Sequence, residues 1–265
     1  MKQGFIIDLD GTLYRGSEPL PHAAAFIDAL RTAGAPYVLM TNNSTRTPRE
    51  VADHLNRMGI PARPGDVLTS AQATVRYLDG LHAGKNVYCI GEKGLVTALE
   101  EAGYALTDRA ADFVVQGLDR AFSYAKLQKA MDLILAGARF VLTNPDVRLP
   151  TEDGFFPGAG SIAAAIETAA GVSPVVIGKP SAVIMEFALE MIGLPASDVW
   201  MVGDNVRTDM VAGRNASCRT ALLFTGITDE ASWPALAAET GVACDFAGRH
   251  LGEFMAHVGL GAPGP

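Results

Sequence analysis

The sequence predicts an α/β protein built from two parallel-sheet units, one inserted into the other. Three observations carry this reading. Short apolar runs that end in polar residues alternate with helical segments along nearly the whole chain, the pattern of parallel strands joined by crossover helices. The alternation breaks off and restarts, giving more strands than one sheet comfortably holds in 265 residues. No Ser- or Gly-rich linker separates the runs, which fits a chain that leaves one unit and later returns to it.

GFIIDLD, residues 4–10, is a β-branched run ending in acid and then Gly11. It reads as a buried strand with charge at its carboxyl end. HAAAFIDALRTA (22–33) has helical spacing, and Gly34 stops it. YVLMTNN (37–43) repeats the strand with a polar end, and Thr47-Pro48 opens the helix PREVADHLNRM, closed by Gly59. In the middle of the chain the strands NVYCIGE, DFVVQGL and RFVLTNPD alternate with the helices KGLVTALEEAG, SYAKLQKAMDLILAG and SIAAAIETAAG. From Lys179 on come helix SAVIMEFALEMIG, strand DVWMVGD, helix RTDMVAGRNA and strand TALLFTG. WPALAAET and HLGEFMAHV read as closing helices, and the tail GAPGP as disordered. These signals place the core unit at residues 1–72 and 177–265 and the inserted unit at 73–176.

Hydrophobic residues make up 49% of the chain, enough for a core in each unit. The net charge is -8, with Lys and Arg scattered, so no nucleic-acid footprint is expected. An acidic protein repels phosphorylated ligands at long range; a phosphate site here needs local cations or a metal. Cys89, Cys218 and Cys244 are far apart, odd in number and form no CxxC, and are expected to be reduced and mostly buried. The N-terminus runs almost directly into FII and Asp8, unlike a signal peptide, and no apolar run reaches membrane-spanning length. The expectation is a soluble cytoplasmic protein, monomer or homodimer, with no membrane or nucleic-acid partner.

Open parallel sheets bind ligands beyond the carboxyl ends of their strands. There the first strand delivers Asp8 and Asp10, the second Thr41 and Asn42, and a later one Asp204, with Asp209 just beyond. Lys179 follows the apolar run VVIG. Side chains two apart on a strand share a face, and close carboxyls repel until one holds its proton, as a nucleophile beside a general acid requires; DLDG is equally a good turn sequence. Asp204 and Asp209 in GDNVRTD suit Mg²⁺, which takes one or two carboxylates plus other oxygens, or a helix cap. Thr41 and Asn42 offer donors to phosphate oxygens, although TNNST also reads as a turn before a helix. GKP at 178–180 fails as a nucleotide phosphate loop, because Pro180 replaces Ser/Thr and Ser173 stands where Gly belongs. No GxGxxG follows the first strand, and the five His residues form no HExxH.

Together DLDGT (8–12), TNN (41–43), Lys179 and GDNVRTD (203–209) resemble the four ordered motifs of the haloacid dehalogenase superfamily. TNPD (143–146) and PGAGSIAAAIE (157–167) resemble the large C2-type cap of the NagD-like phosphatases and its return to the core. The resemblance covers nearly the whole chain. It implies a Rossmann-like core with an inserted cap, and a Mg²⁺-dependent phosphatase acting on a small phosphorylated metabolite. Asp10 points to the phosphatase branch. By the same resemblance Asp8 is nucleophile and metal ligand, and Asp10 general acid/base with its carbonyl on the metal. Thr41 and Asn42 bind phosphate, Lys179 neutralises charge, and Asp204 and Asp209 hold or support the metal. A receiver-type signalling module also phosphorylates an aspartate at a strand end, but needs no inserted unit and no acid at position 10. Asn144 and Asp146, at the polar end of RFVLT, are candidates for contacting the leaving group.

Overall fold

Gly4–Asp8 is a strand of five buried residues inside a six-stranded sheet. The strand order is Phe246–Gly248, Arg219–Leu223, Val199–Gly203, Gly4–Asp8, Tyr37–Thr41, Val67–Thr69. In this computed structural model, which describes residues 3–151 and 154–261, Gly4–Asp8 pairs in parallel with Val199–Gly203 on one side and Tyr37–Thr41 on the other. Burial on both faces explains why these strands read as unbroken apolar runs. The next strand of this sheet along the chain lies on one side and a much later one on the other. Asp8 therefore stands at the switch in strand order, where connections diverge and leave a crevice.

The chain divides into two compact units. One contains residues up to Thr41, Arg49–Leu68 and the chain from Lys179 on; the other contains Asn42–Pro48 and Thr69–Gly178. The second unit has its own five-stranded sheet, ordered Val175–Val176, Arg139–Leu142, Phe113–Gln116, Asn86–Ile90, Ala105–Leu106, with every pairing parallel. Both units are thus the α/β, parallel-sheet architecture expected from the sequence. Each has its own apolar core. One is built around Phe5, Ile7, Phe26, Leu39 and Phe254, the other around Ile90, Val114, Phe140, Leu142 and Ile166.

Several elements differ from the sequence expectation. Ser70–Leu81 is a helix the apolar pattern did not announce; its signal is the capping box formed by Thr69 and Gln72. Arg148–Thr151 and Gly154–Pro157 form an antiparallel hairpin between the strand ending at Leu142 and the helix Ala159–Ala170. The helix read as SAVIMEFALEMIG is capped by its first residue, Ser181, and begins at Ala182. The helix expected over 207–216 is a π-helical turn, Val206–Met210, followed by a short α-helix, Val211–Asn215. Residues 262–265 of the GAPGP tail, expected to be disordered, lie outside the described residues. Among those described, no helix is long and apolar enough to cross a membrane.

Phe254 anchors the first core. It is fully buried, and its ring packs edge-on against Phe5, Phe26 and Trp200, with centroids 6.2, 5.9 and 5.3 Å away. Truncating so enclosed an aromatic leaves a cavity the neighbours fill only in part. Phe254→Ala is expected to destabilise this unit by about 3–5 kcal/mol, read as a lower urea midpoint by tryptophan fluorescence.

Candidate active site

Asp8 closes the central strand, and its carboxylate is buried. Lys179 donates from Nζ to Asp8 Oδ1 at 2.5 Å and to Asp209 Oδ1 at 2.6 Å. All three side chains are at least nine-tenths buried, so this is a bridged ion pair inside protein rather than a surface contact. Thr12 Oγ1 reaches Asp8 Oδ2 only at 3.4 Å. Asp209 arrives through the π-helical turn, a local widening that recurs at functional sites. The turn is tied to the strand end: Asn205 N–H donates to Asp209 Oδ2 at 3.1 Å, and Asp209 N–H donates to the Asn205 carbonyl. A Cβ on Gly203 would lie 2.3 Å from Asp209 Oδ2, so only glycine lets the carboxylate fold back this closely. The cap of the segment is Asn205, which accepts from Arg207 N–H. The N-cap position is therefore Asn205, not Asp204 or Asp209, although both carboxylates accept backbone N–H groups nearby.

Asp204 follows the strand Val199–Gly203 and is buried. Its Oδ2 accepts from Ile227 N–H at 2.6 Å, and its carbonyl accepts from Thr228 N–H. Thr225 donates from Oγ1 to the Gly11 carbonyl, and Val206 N–H donates to Thr228 Oγ1. The loop after Arg219–Leu223 thus fixes Asp204 and ties it to the turn after Asp8. Sequence reasoning passed over this loop; FTGIT at a strand's carboxyl end was the available signal. Two glycines face the carboxylate. A Cβ on Gly226 would lie 1.9 Å from Asp204 Oδ2, and one on Gly11, at φ +82°, 2.4 Å from the same atom.

The strand stops at Asp8, so pleat alternation does not place Asp10. Asp10 lies in the following turn, exposed, bridging Tyr14; its Oδ2 accepts from the Tyr14 hydroxyl at 3.0 Å. Thr41 ends the neighbouring strand and is buried. Asn42 belongs to the second unit, where its side chain donates to Asp146. Asp8, Lys179, Asp204 and Asp209 therefore converge in one unit, with Asp10 and Thr41 at the ends of the same sheet region.

Burial is the largest influence on Asp8. Lys179 pulls the carboxyl down, Asp209 and Asp204 push it back, and the result stands well above the usual range. Burial, then the neighbouring Asp209, pushes Asp204 up to about 7. Burial opposes charge on Lys179, but Asp209 and Asp8 outweigh it and hold the ammonium firmly protonated. Three buried carboxyls against one ammonium leave negative charge in excess. Each of Asp8, Asp204 and Asp209 offers an oxygen within 4.8 Å of the others. An all-oxygen carboxylate set, kept open by Gly11 and Gly226, fits a hard divalent cation such as Mg²⁺.

Residues 5–105 match the family model described as haloacid dehalogenase-like hydrolase, and residues 176–248 one described as HAD-hydrolase-like. The chain belongs to the haloacid dehalogenase-like hydrolases. It is 44% identical over 226 residues to the 5′-nucleotidase YutF of Bacillus subtilis, spanning 85% of this chain and 88% of that protein. It is 46% identical over 231 residues to an acid sugar phosphatase of Staphylococcus aureus, spanning 86% and 89%. Its fold matches NagD of E. coli K-12 with a TM-score of 0.87 at 32% identity, covering 94% of this chain and 96% of that one. Within the family it is a NagD-like phosphatase, a phosphomonoester hydrolase.

The glycine beside Asp204 gives a direct test. A methyl at position 226 would meet Asp204 all along its side chain, from Oδ2 at 1.9 Å back to Cβ at 2.9 Å, so the carboxylate must leave its place and the loop that carries Gly226 must shift. Gly226→Ala is expected to lower the melting temperature and to lose most phosphatase activity. Wild-type turnover in that variant would show that the placement of Asp204 does not matter.

Proposed function

We propose that this protein hydrolyses small phosphomonoesters in a Mg²⁺-dependent reaction that passes through an aspartyl-phosphate on Asp8. The observation that carries the reading is the buried Asp8 carboxylate, held at Oδ1 by Lys179 and flanked by Asp204 and Asp209. With one oxygen tethered, the other is oriented to attack phosphorus in line with the leaving group. The Asp8 oxygen–phosphorus bond forms as the ester phosphorus–oxygen bond breaks, and the departing alkoxide takes a proton from the Asp10 carboxyl. The Asp10 carboxylate then removes a proton from water, which attacks the same phosphorus. Inorganic phosphate leaves and the Asp8 carboxylate is restored.

Asp10 suits proton traffic because it sits in an exposed turn with Tyr14 as its hydrogen-bond partner. Thr41 and Asn42 supply donors to the phosphate oxygens, and Lys179 offsets charge as it builds. Asp8, Asp204 and the Asp10 carbonyl would hold Mg²⁺, with Asp209 supporting them. When bound, Mg²⁺ would shield the substrate dianion from the carboxylates and stabilise charge on the transferring group.

The core, residues 1–72 and 177–265, is assigned to bond breaking, and the inserted unit, about 73 to 176, to substrate selection. Proteins of similar identity to this chain are named a 5′-nucleotidase and an acid sugar phosphatase, so chains this similar carry different substrate names. The substrate class is accordingly a small phosphorylated metabolite such as a sugar phosphate or nucleotide, and we assign the protein to the cytoplasm.

Asp8→Asn keeps the shape of the side chain without a nucleophile. It is expected to fold normally and to lose activity by more than about a thousandfold. Activity is expected to vanish in excess EDTA and return with Mg²⁺, measured by phosphate release over a panel of sugar phosphates and nucleoside monophosphates. Full turnover after dialysis against chelator would remove the metal from the reaction.

A further inference from the structure

Asn42 follows Thr41 directly in the chain, yet the two belong to different units: Thr41 lies in the core, and Asn42–Pro48 packs with Thr69–Gly178. What holds Asn42 there is a set of polar contacts from the turn after strand Arg139–Leu142 and from the start of the helix Ser70–Leu81. Asn42 Nδ2 donates to the Asp146 carboxylate, 3.2 Å to Oδ2 and 3.4 Å to Oδ1. Asn144 Nδ2 donates to the Asn42 carbonyl at 2.9 Å, and Ser70 Oγ donates to the same carbonyl at 2.6 Å. Two residues on, Thr143 Oγ1 donates to Ser44 Oγ.

The Asn144-Pro145-Asp146 turn is itself rigid. Asp146 N–H donates back to Asn144 Oδ1 at 3.3 Å, an Asx-type closure, and Pro145 fixes the φ between them. The start of the helix Ala159–Ala170 backs it: Gly160 N–H donates to the Asp146 carbonyl, and Gly158 N–H to the Val147 carbonyl. A Cβ on Gly158 would lie 2.1 Å from the Asp146 carbonyl oxygen, and one on Gly160 2.3 Å from that of Pro145. On the other side, a Cβ on Gly178 would lie 2.6 Å from Asn42 Oδ1. Three glycines let backbone close around this contact.

We infer that Asp146 is a positioning residue for phosphate recognition, fixing the carboxamide of Asn42 so that its N–H edge is set as a donor. A carboxamide has a donor edge and an acceptor edge of nearly the same shape. Presented the wrong way round, it turns an oxygen toward a phosphate dianion. A carboxylate can only accept when ionised, so Asp146 admits one of the two orientations, through a charge-assisted hydrogen bond. Asn144 fixes the backbone of the same residue. This gives Asn144 and Asp146 a different task from the leaving-group contact their place in the sequence suggested. The inference rests on the proposed role of Asn42 in binding phosphate.

The test is a double-mutant cycle between Asn42→Ala and Asp146→Ala, read as kcat/KM on p-nitrophenyl phosphate and as the inhibition constant of inorganic phosphate. Asp146→Ala is expected to weaken phosphate inhibition and lower kcat/KM by about tenfold, the scale of one oriented hydrogen bond. The loss should be equal for substrates with different leaving groups. Asp146→Asn, which keeps an acceptor oxygen, is expected to recover most of it. Asp146→Leu keeps the volume without the acceptor; it should repeat the loss, and it serves where the alanine variant does not fold. In an Asn42→Ala background, Asp146→Ala should add less than about twofold. Additive losses in the double variant would overturn the inference and leave Asn42 as a phosphate binder. So would a loss confined to one leaving group with phosphate inhibition unchanged. Wild-type inhibition in Asn42→Ala alone would instead overturn the phosphate role of Asn42, and the inference with it.

Discussion

Lys179 holds a buried ammonium between Asp8 and Asp209, and the core site is arranged around that bridge. Charges taken out of water at this depth persist only when paired and hydrogen-bonded. The pairing requires three distant pieces of chain to meet: the end of Gly4–Asp8, the turn after Val199–Gly203, and the residue that opens the final return to the core. A parallel sheet with a switch in strand order brings such pieces to one edge. Burial first, and then the mutual repulsion of three carboxyls around one cation, sets Asp8 and Asp204 above the ordinary carboxylate range. A site left short of positive charge is suited to receiving a metal ion and then a phosphate. The same groups that make the folded core costly make it reactive.

How much of this was legible depended on the kind of signal. Fully buried strands announced themselves as apolar runs, and their polar ends gave Asp8, Thr41 and Asp204 without any structure. Asp10 was named by its motif, but its setting was not legible: a strand two residues past its observed end and a turn look alike in DLDG. The π-helical turn was hidden because it depends on one tertiary bond, Asn205 N–H to Asp209 Oδ2, and not on local propensity. The loop holding Asp204 acts through backbone N–H groups at Ile227 and Thr228, which carry no residue-type signature. The glycines at 11, 203 and 226 were visible as letters. Their reason, the space each leaves for a carboxylate, is a property of packing.

The TNN motif joins the two units in a way its sequence conceals. Read as a string it is one polar strand end; in space its first residue belongs to the core and its second to the other unit. Asn144 and Asp146, about a hundred positions later, hold the second. A residue pair so distant in sequence has no periodicity to betray it. The TNPD turn therefore read as a free polar end when it is the support of another polar end.

The proposed reaction requires Asp8 to carry the phosphoryl group. The most direct measurement is acid quenching of wild-type protein during turnover of a substrate radiolabelled in its phosphate, followed by peptide mapping of the protein. Label is expected on the peptide containing Asp8, released by hydroxylamine as an acyl phosphate is, and none on the Asp8→Asn variant. Sustained turnover with no label on the protein, or with label on a peptide lacking Asp8, would contradict it.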